Sequence, residues 1–246
     1  MSSEQNKINR VTIMDIDFVN ITKQELLTKH IYPRLQIQDK FFIATPNPEI
    51  VMRTREDQHY KKVIQSADYI VPDGAGIVLS SRYIKNPILE RIPGFELMVD
   101  LLEYANDNGL SCYFLGARDY INNRLIEVIN KRYEHIKIAG NHHGYFEDGE
   151  EIANNASETN PDIVFVALGS PKQEEWIYNY IDKFSKGLFI GVGGSFDILA
   201  GELKRAPKSW IKHNLEWLYR LLKEPFRWKR ILKSVEFMVR MRLRGK

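Results

Sequence analysis

Cysteine is nearly absent from the chain, because Cys112 is the single cysteine among 246 residues. A disulfide framework is therefore excluded, and a reducing compartment fits the composition. Cys112 lies in the apolar run Ser111-Cys-Tyr-Phe-Leu, which favours a buried strand residue over a reactive thiol. Since no cysteine accompanies His142-His143, a zinc site there is a weak interpretation. We expect these two histidines to belong to a loop or to contact a substrate.

Long apolar runs and the common nucleotide fingerprints are also missing. Residues 1–7 are polar, so no signal peptide is predicted. No apolar run approaches the ~20 residues of a membrane-spanning helix, and we expect a soluble or peripheral protein. The glycine-rich residues 191–197 do not match G-x-G-x-x-G, and no P-loop is present. These absences disfavour NAD and ATP chemistry, and we predict no cofactor.

Basic residues are concentrated near the carboxyl end. Residues 220–246 contain ten Lys or Arg and two Glu, a net charge of +8, whereas the rest of the chain has 25 basic and 30 acidic residues. Aromatic side chains such as Trp228 and Phe237 lie among these charges. Basic amphipathic helices with aromatic residues are typical of segments that bind an anionic membrane surface. Nucleic acid is the competing partner, although no nucleic-acid-binding motif accompanies the charge.

Short apolar runs alternate with helical patterns along most of the chain. The runs predicted as strands are 11–19, 41–44, 69–71, 110–115, 136–139, 162–168 and 188–192. This alternation predicts an α/β fold, with a mostly parallel, doubly wound sheet and helices on both faces. Beyond residues 201–207 only helices are predicted, at 209–222 and 225–243. We therefore divide the chain into a body, residues 1–201, and a basic helical appendage, residues 202–246.

Small polar residues and glycines follow several of the predicted strands. The carboxyl ends of parallel neighbouring strands meet at one edge of a sheet, where open α/β sheets bind their ligands. Glycines let a ligand approach the backbone, and such a rim suits a nucleotide diphosphate. Ordinary turns use the same residue types. The evidence for a binding site is therefore that such residues follow several strands and not only one. The sets include Thr45 and Asn47, Asp73 and Gly74, Gly169 to Gln173, and Gly193 and Gly194.

Asp73 is the best candidate for a general base. It stands between Pro72 and Gly74, directly after a predicted strand. A carboxylate that is partly shielded in a crevice can have a raised pKa and can take a proton from a hydroxyl group. An Asp that caps the following helix is an equally good interpretation of the sequence alone.

Asp15-Ile-Asp17 resembles the D-x-D that some sugar-nucleotide transferases use to hold a metal. In an alternating strand, both carboxylates would lie on one face. Solvated strand residues explain the pattern better than a metal site does, so we predict no metal.

Taken together, the motifs resemble those of the WecG/TagA/CpsF glycosyltransferase family, and most closely those of its teichoic-acid branch. The matches cover nearly the whole chain in order, and the joint set is specific although no single motif is. The matching segments are A-T-P-N-P-E (44–49), V-P-D-G-A-G (71–76), R-I-P-G (91–94), F-L-G (114–116), H-G-Y-F (143–146), A-L-G-S-P-K-Q-E (167–174), G-V-G-G-S-F-D-I-L-A-G (191–201), K-R-A-P (204–207) and E-W-L-Y-R-L-L-K-E-P-F-R-W-K-R (216–230).

The resemblance implies an inverting transfer of N-acetylmannosamine from its UDP donor to the GlcNAc of undecaprenyl-diphosphate-GlcNAc. The product has a β-1,4 link, and the reaction is the committed step of teichoic-acid linkage-unit synthesis. The resemblance also implies a Rossmann-like body, catalysis without a metal, and a C-terminal appendage at the inner face of the cell membrane. A homo-oligomer stays open.

Residue roles follow from the same resemblance. Asp73 matches the proposed catalytic base, and Thr45, Asn47 and Gln173 match pocket residues. Three arginines of the appendage match residues thought to reach the diphosphates, and we add glycines of the rim. The predicted substrate-binding residues are Thr45, Asn47, Gly74, Gln173, Gly193, Gly194, Arg220, Arg227 and Arg230.

Two other functions stay open at this point. One is a sibling transferase that uses another UDP-sugar, such as UDP-N-acetylmannosaminuronate or UDP-glucose, because the shape of the sugar pocket cannot be read from the sequence. The other is a nucleic-acid-binding module that uses the basic appendage. Donor-dependent release of UDP indicates a transferase, whereas RNA or DNA binding with a steep salt dependence indicates the module.

Overall fold

The computed structural model of the protein describes residues 8–213, 215–223 and 228–244. Within them, eight strands form a two-stranded and a six-stranded sheet. The strands are β1 (Arg10–Ile13), β2 (Ile16–Val19), β3 (Lys40–Ala44), β4 (Tyr69–Ile70), β5 (Ser111–Gly116), β6 (Lys137–His142), β7 (Ile163–Ala167) and β8 (Gly187–Gly191). The larger sheet has the order β4-β3-β8-β7-β5-β6, and all its pairs are parallel.

The central strands are buried on both sides, as expected for apolar runs in a parallel sheet. Successive side chains point to opposite faces. Phe41 and Ile43 of β3 belong to one hydrophobic cluster, whereas Phe42 and Ala44 belong to a second cluster on the other face. Helices cover both faces, so the predicted α/β class with a parallel, doubly wound sheet is confirmed.

The helices follow the strands in alternation. Thr22 begins the first of them, because its Oγ1 accepts a hydrogen bond from the Glu25 backbone N–H at 3.1 Å and caps the helix. A π-helical segment (Leu26–Ile31) separates the first two helices. The helices are α1 (Lys23–Glu25), α2 (Tyr32–Gln36), α3 (Pro48–Glu56), α4 (Gln58–Gln65), α5 (Ala75–Ser81), α6 (Gly94–Asn108), α7 (Asp119–Arg132), α8 (Gly149–Glu158), α9 (Lys172–Tyr180), α10 (Ser195–Leu199), α11 (Lys208–Lys212), α12 (Glu216–Lys223) and α13 (Trp228–Arg244).

The predicted single strand over residues 11–19 was wrong, because β1 and β2 pair as an antiparallel hairpin. Met14 and Asp15 form its turn with φ of 48° and 65°, a conformation that Asp tolerates better than most residues. The two carboxylates therefore do not share one strand face. Asp15 accepts from Lys61 Nζ at 3.1 Å, and Asp17 accepts from Thr12 Oγ1 at 2.6 Å. Among the described residues, no group of three or more His, Cys, Asp or Glu side chains is arranged to hold a metal ion.

Two stretches with helical spacing, residues 49–66 and 209–222, each form two helices and not one. Residues 49–66 form α3 and α4, because Asp57 leaves the helical conformation and accepts a hydrogen bond from the Tyr60 backbone N–H at 2.9 Å. An Asp at this position starts a new helix more readily than it continues an old one. Residues 209–222 fall into α11 and α12, which are separated at His213.

The last helix, α13, packs against α3 and α5. Phe237 and Met241 on its inner face are 0% and 2% exposed, and they join the cluster that contains Val51 and Ile77. The other side of α13 carries apolar residues that are exposed, such as Leu232 at 57%. No helix in the described part of the chain combines the length and apolar character needed to cross a membrane.

Candidate active site

The loops after β3 and β4 lie side by side at the carboxyl edge of the sheet. The Val71 N–H donates to the Ala44 carbonyl at 2.8 Å, and the Asp73 N–H donates to the Pro46 carbonyl at 3.3 Å. This pairing continues the strand contact beyond the last residues of β3 and β4. The prediction that Thr45, Asn47 and Asp73 emerge at one edge is therefore confirmed.

Glycines allow the loop after β4 to pack tightly on the start of α3. Gly74 has φ of 90°, and a Cβ atom there would lie 3.2 Å from Pro48 Cδ. A Cβ atom on Gly76 would lie 2.7 Å from Pro48 Cγ. Side chains at these positions would push the loop away. The V-P-D-G-A-G motif thus places Asp73 beside Asn47.

Asp73 does not occupy the N-cap position of the following helix. That position belongs to Gly74, which precedes α5. Asp73 is half-buried at the crevice, one residue before the position from which a side chain normally caps a helix. The helix-cap interpretation is therefore weaker than the sequence suggested, whereas the general-base assignment of Asp73 stays a prediction.

Asn47 has a structural contact as well as a place at the crevice. Its Oδ1 accepts a hydrogen bond from the Ile50 backbone N–H at 3.1 Å and caps α3. With this amide orientation, the Nδ2 group is the end of the side chain that can donate to a ligand. The contact also explains why Asn suits this position, since its side chain can cap a helix and still present a donor.

Thr45 connects this pair of loops to β8. Its Oγ1 donates to the Gly191 carbonyl at 3.3 Å, although the two residues are far apart in the chain. A Cβ atom on Gly94, at the start of α6, would lie 3.3 Å from Thr45 Oγ1. Thr45 therefore lies where β3, β8 and the R-I-P-G segment meet.

The turn after β8 is open on its outer side. Gly193 has φ of +51°, and a Cβ atom there would meet no other atom within 4 Å. The nearest atom to a Cβ on Gly194 would be Asp197 Oδ2, at 4.0 Å. Gly169, with φ of +75°, is equally open. These glycines expose backbone that a ligand can approach, as predicted for a rim. Their role in binding stays a prediction.

Gln173 lies behind this turn and is 4% exposed. Its Oε1 accepts a hydrogen bond from the Gly193 backbone N–H at 3.0 Å, and its Nε2 donates to Glu174 Oε1 at 2.7 Å. A Cβ atom on Gly191 would lie 2.5 Å from Gln173 Nε2, so β8 passes directly against this side chain. Both polar ends of Gln173 are therefore engaged within the protein, and its predicted contact with a substrate stays a prediction.

Sequence reasoning missed Glu174 and Tyr60, which lie beneath the turn. Glu174 is 2% exposed, and its Oε2 accepts from the Tyr60 hydroxyl at 3.0 Å. Burial raises the pKa of the Glu174 carboxyl to about 7, although hydrogen bonds from Gln173 and Tyr60 act in the opposite direction. A Glu is seldom fully buried in a protein, and nothing in the local sequence of α9 indicates this contact.

Asn122 organises the other half of the edge. Its Nδ2 donates to the Gly116 carbonyl at 2.9 Å and to the His142 carbonyl at 3.0 Å. His142 Nδ1 lies 2.8 Å from the His143 carbonyl oxygen, and His143 Nδ1 accepts from the Tyr145 N–H at 3.2 Å. His142 is the last residue of β6, and His143 begins the loop that follows, so the loop prediction is correct for His143 and wrong for His142. Contact of either histidine with a substrate stays a prediction.

The base of the C-terminal helices adjoins the R-I-P-G segment. Arg205 pairs with Glu96 at 2.7 Å, and Glu216, at the start of α12, lies 3.6 Å from Arg91. The Ile92 N–H in turn donates to the Pro72 carbonyl at 2.9 Å, in the loop that carries Asp73. α12 thus begins close to the crevice.

Three predicted arginines cannot be placed against the crevice. Arg227 lies outside the described residues, and so do the side chains of Arg220 on α12 and Arg230 on α13. Their predicted contacts with diphosphates stay predictions.

Comparisons with known proteins identify the family of the chain. The model of the Glycosyl transferase WecG/TagA/CpsF family matches residues 11–246. Three proteins named N-acetylglucosaminyldiphosphoundecaprenol N-acetyl-beta-D-mannosaminyltransferase are similar to the chain. The one from Bacillus spizizenii is 38% identical over 227 residues, which are 92% of this chain and 88% of that protein. The one from Bacillus subtilis is 43% identical over 77% of this chain and 74% of that protein.

The relative from Staphylococcus aureus strain MRSA252 is 38% identical over 94% of this chain and 91% of that protein. Such coverage includes the body and the C-terminal helices alike. The family match and these identities do not favour a nucleic-acid-binding module. The family model and these relatives each match most of the chain, and the chain belongs to the WecG/TagA/CpsF glycosyltransferase family.

Proposed function

We propose that the protein transfers N-acetylmannosamine from its UDP donor to the GlcNAc of undecaprenyl-diphosphate-GlcNAc and forms a β-1,4 link. This would be the committed step of teichoic-acid linkage-unit synthesis. The observation that carries the proposal is the shared name of relatives that are 38–43% identical over most of the chain. The geometry supports it, because the half-buried Asp73 lies beside Asn47 at the carboxyl edge of the sheet, where open α/β sheets bind their ligands.

In this mechanism, Asp73 acts as the general base. Its carboxylate takes the proton from the 4-hydroxyl of the acceptor GlcNAc, and that oxygen attacks the anomeric carbon of the donor sugar. The bond between the anomeric carbon and the phosphate oxygen breaks, and UDP leaves with the electron pair. Attack from the side opposite UDP inverts the anomeric carbon, which requires the base, the hydroxyl and the leaving group to be aligned.

Binding roles are proposed for the residues around the base. Thr45 and Asn47 line the pocket beside Asp73, and Gly74 lets the loop approach them. Gly193 and Gly194 face the donor, with Gln173 behind them. The negative charge that develops on UDP is balanced by backbone N–H groups and by Arg220, Arg227 and Arg230 of the appendage, residues 202–246.

We further propose that the appendage rests on the anionic inner face of the cell membrane. The outer side of α13 carries exposed apolar residues at a helical spacing, at positions 228, 232, 235, 239 and 243. Arg240 and Arg242 on the same helix are exposed too. An apolar face that is flanked by basic residues suits a surface of acyl chains and anionic headgroups. The membrane would thus hold the enzyme beside its lipid-linked acceptor.

Product analysis tests the proposed reaction. The purified full-length protein is incubated with a soluble lipid-diphosphate-GlcNAc analogue and one UDP-sugar at a time. UDP-N-acetylmannosamine should give UDP and a β-1,4-linked disaccharide lipid, whereas UDP-glucose and UDP-N-acetylmannosaminuronate should give little product. Efficient turnover of either of the latter two donors alone would replace the proposed reaction with that of a sibling transferase.

A further inference from the structure

Glu174 is a carboxylate that the proposed reaction does not use, and it is buried between α9 and α4. Its Oε1 accepts from Gln173 Nε2 at 2.7 Å, and its Oε2 accepts from the Tyr60 hydroxyl at 3.0 Å. The same hydroxyl lies 2.7 Å from Ser170 Oγ. Burying a carboxylate is costly unless its oxygens are satisfied. The surrounding donors satisfy both oxygens, so the group belongs to an ordered network.

The network defines which way the Gln173 amide points. A glutamine amide has one acceptor end and one donor end. The Gly193 N–H needs an acceptor, and Gln173 Oε1 provides it at 3.0 Å. The ionised carboxylate of Glu174 can only accept, so it needs the NH₂ end. The two neighbours therefore favour the same amide orientation. Loss of the Glu174 carboxylate would leave only the hydrogen bond from Gly193 to define it.

Gln173 connects this buried network to the open turn after β8. Its side chain packs against Gly191 so closely that a Cβ atom there would lie 2.5 Å from Nε2. On the other side of β8, Thr45 Oγ1 donates to the Gly191 carbonyl at 3.3 Å. The turn is thus held from behind by Gln173 and from the Asp73 side by Thr45, while Gly193 is open outward.

The charge of Glu174 is sensitive to its surroundings. Burial raises the pKa of its carboxyl to about 7, and hydrogen bonds from Gln173, Tyr60 and Ser170 act in the opposite direction. The guanidinium of Arg53 on α3 lies 6.0 Å from the Tyr60 ring centroid and is a charged group on the facing side. The donors that contact the carboxylate therefore favour its ionised form, in which both oxygens can only accept.

We propose that Glu174 is a positioning residue for the donor site, because its buried carboxylate orients the Gln173 amide, which in turn holds the Gly193–Gly194 turn in the form that binds the UDP moiety. This inference rests on the proposed function, since it assumes a UDP-sugar donor. Glu174 itself does not touch the substrate. Its effect passes through Gln173 to the backbone N–H of Gly193.

Amide exchange and UDP binding together test this inference on the full-length protein. NMR follows hydrogen exchange at the Gly193 amide, and titration calorimetry gives the dissociation constant of UDP. Glu174→Met removes the acceptor at similar volume, and Glu174→Asp keeps the charge but shortens the side chain. Glu174→Gln is the conservative variant, because its amide oxygen can still accept from Gln173. Tyr60→Phe is the matched control, because it removes the other hydrogen bond to the same carboxylate.

If Glu174 acts through Gln173, the variants should differ in Gly193 amide exchange and in UDP affinity. Glu174→Met and Glu174→Asp should each accelerate Gly193 exchange and weaken UDP binding ~10-fold, the usual size for a lost hydrogen bond to a charged group. Glu174→Gln and Tyr60→Phe should stay within ~2-fold of the wild type. In a Gln173→Ala background, Glu174→Gln and Glu174→Met should bind UDP equally well, because the residue through which Glu174 acts is gone.

Three results would overturn the inference. If the wild type binds UDP and the Glu174 variants match it, the inference fails and the proposed function stands. If Tyr60→Phe and Glu174→Met lose the same amount of UDP affinity, Glu174 has only a general packing role. The same conclusion follows if the loss caused by Glu174→Met adds fully to the loss caused by Gln173→Ala. If Glu174→Met does not fold, Glu174→Asp decides by the same criteria. If the wild type does not bind UDP, the donor assignment fails and the inference falls with it.

Discussion

At the residue scale, the position of Asp73 depends on backbone contacts and on neighbouring glycines. The Asp73 N–H donates to the Pro46 carbonyl at 3.3 Å, and Gly74 adopts φ of 90° against Pro48. The N-cap position of α5 belongs to Gly74. A change of the carboxylate to an amide of the same shape therefore leaves these determinants of the loop in place. The chemistry of Asp73 can be tested separately from the fold.

Asp73→Asn should nearly abolish turnover while the protein stays folded. An amide cannot take the proton of the acceptor hydroxyl, and a positioned general base contributes ~10²- to 10⁴-fold to the rate. The free energy of unfolding should change by less than ~1 kcal/mol, because the substitution is isosteric. Initial rates of UDP release with the soluble acceptor analogue measure the first effect, and thermal unfolding measures the second.

Asp148→Asn is the matched control for this prediction. Asp148 caps α8 by accepting from the Glu150 and Glu151 N–H groups at 2.8 and 3.1 Å, and Asn caps a helix about equally well. This variant should keep both its activity and its stability. If Asp73→Asn also kept near-normal activity, Asp73 would not be the base.

Residue identity alone indicated Asp73 but did not reveal Glu174. Asp73 stands in a turn motif directly after an apolar run, and the local sequence is enough to place it at a sheet edge. Glu174 has the sequence context of an ordinary acidic residue in the first turn of α9. Its burial depends on Tyr60, which is 114 residues away in the chain. No pattern of local spacing encodes such a contact.

At the element scale, most strands and the order of strands and helices could be predicted, because a buried parallel strand leaves a run such as I-V-F-V-A in β7. The errors have a common cause. The alternation of residues 11–19 continues through the turn at Met14-Asp15, so the period alone does not show the reversal. Asp57 interrupts a helical pattern whose apolar spacing looks continuous. In both places, the backbone conformation of one or two residues ends the strand or helix, although the hydrophobic period continues.

The two sides of α13 should respond differently to mutation. Phe237 is 0% exposed and packs in the cluster with Val51 and Ile77, so Phe237→Ala should lower the free energy of unfolding by ~3–5 kcal/mol. Val235 and Val239 are 45% and 53% exposed. The double variant Val235→Ser/Val239→Ser should change stability by less than ~1 kcal/mol, yet it should weaken binding to anionic vesicles ~10-fold.

Thermal unfolding and vesicle sedimentation separate the two effects. Ile37 is 75% exposed and precedes β3, at the opposite end of the sheet from the crevice. Ile37→Ser therefore provides a control for the loss of an exposed apolar side chain. Vesicle binding by Val235→Ser/Val239→Ser that equals that of the wild type and of Ile37→Ser would remove the outer face of α13 from the proposed membrane contact.

At the scale of the whole molecule, the concentration of basic residues near the carboxyl end supports the proposal that one side of the protein faces the membrane. Residues 220–246 carry a net charge of +8, whereas the remaining residues carry more acidic than basic groups. α13 also covers part of the core through Phe237 and Met241. Removing the segment would expose apolar surface as well as remove charge, so its deletion would test two properties together. Substitution of exposed cations removes charge without exposing the apolar core.

Arg240→Gln/Arg242→Gln should reduce binding to anionic vesicles ~10- to 30-fold, since each basic residue near an anionic surface contributes ~1 kcal/mol. Binding to neutral phosphatidylcholine vesicles and turnover of a short, soluble acceptor should change little, because both arginines are exposed and neither is assigned to the crevice.

The matched control is Lys131→Gln/Arg132→Gln on α7, which packs in the cluster on the opposite face of the sheet from α13. The control removes the same charge, so an equal loss in both double variants would show that only net charge matters. Loss in the α13 variant alone, diminishing as added salt screens the wild type, is the result expected of a membrane-facing appendage.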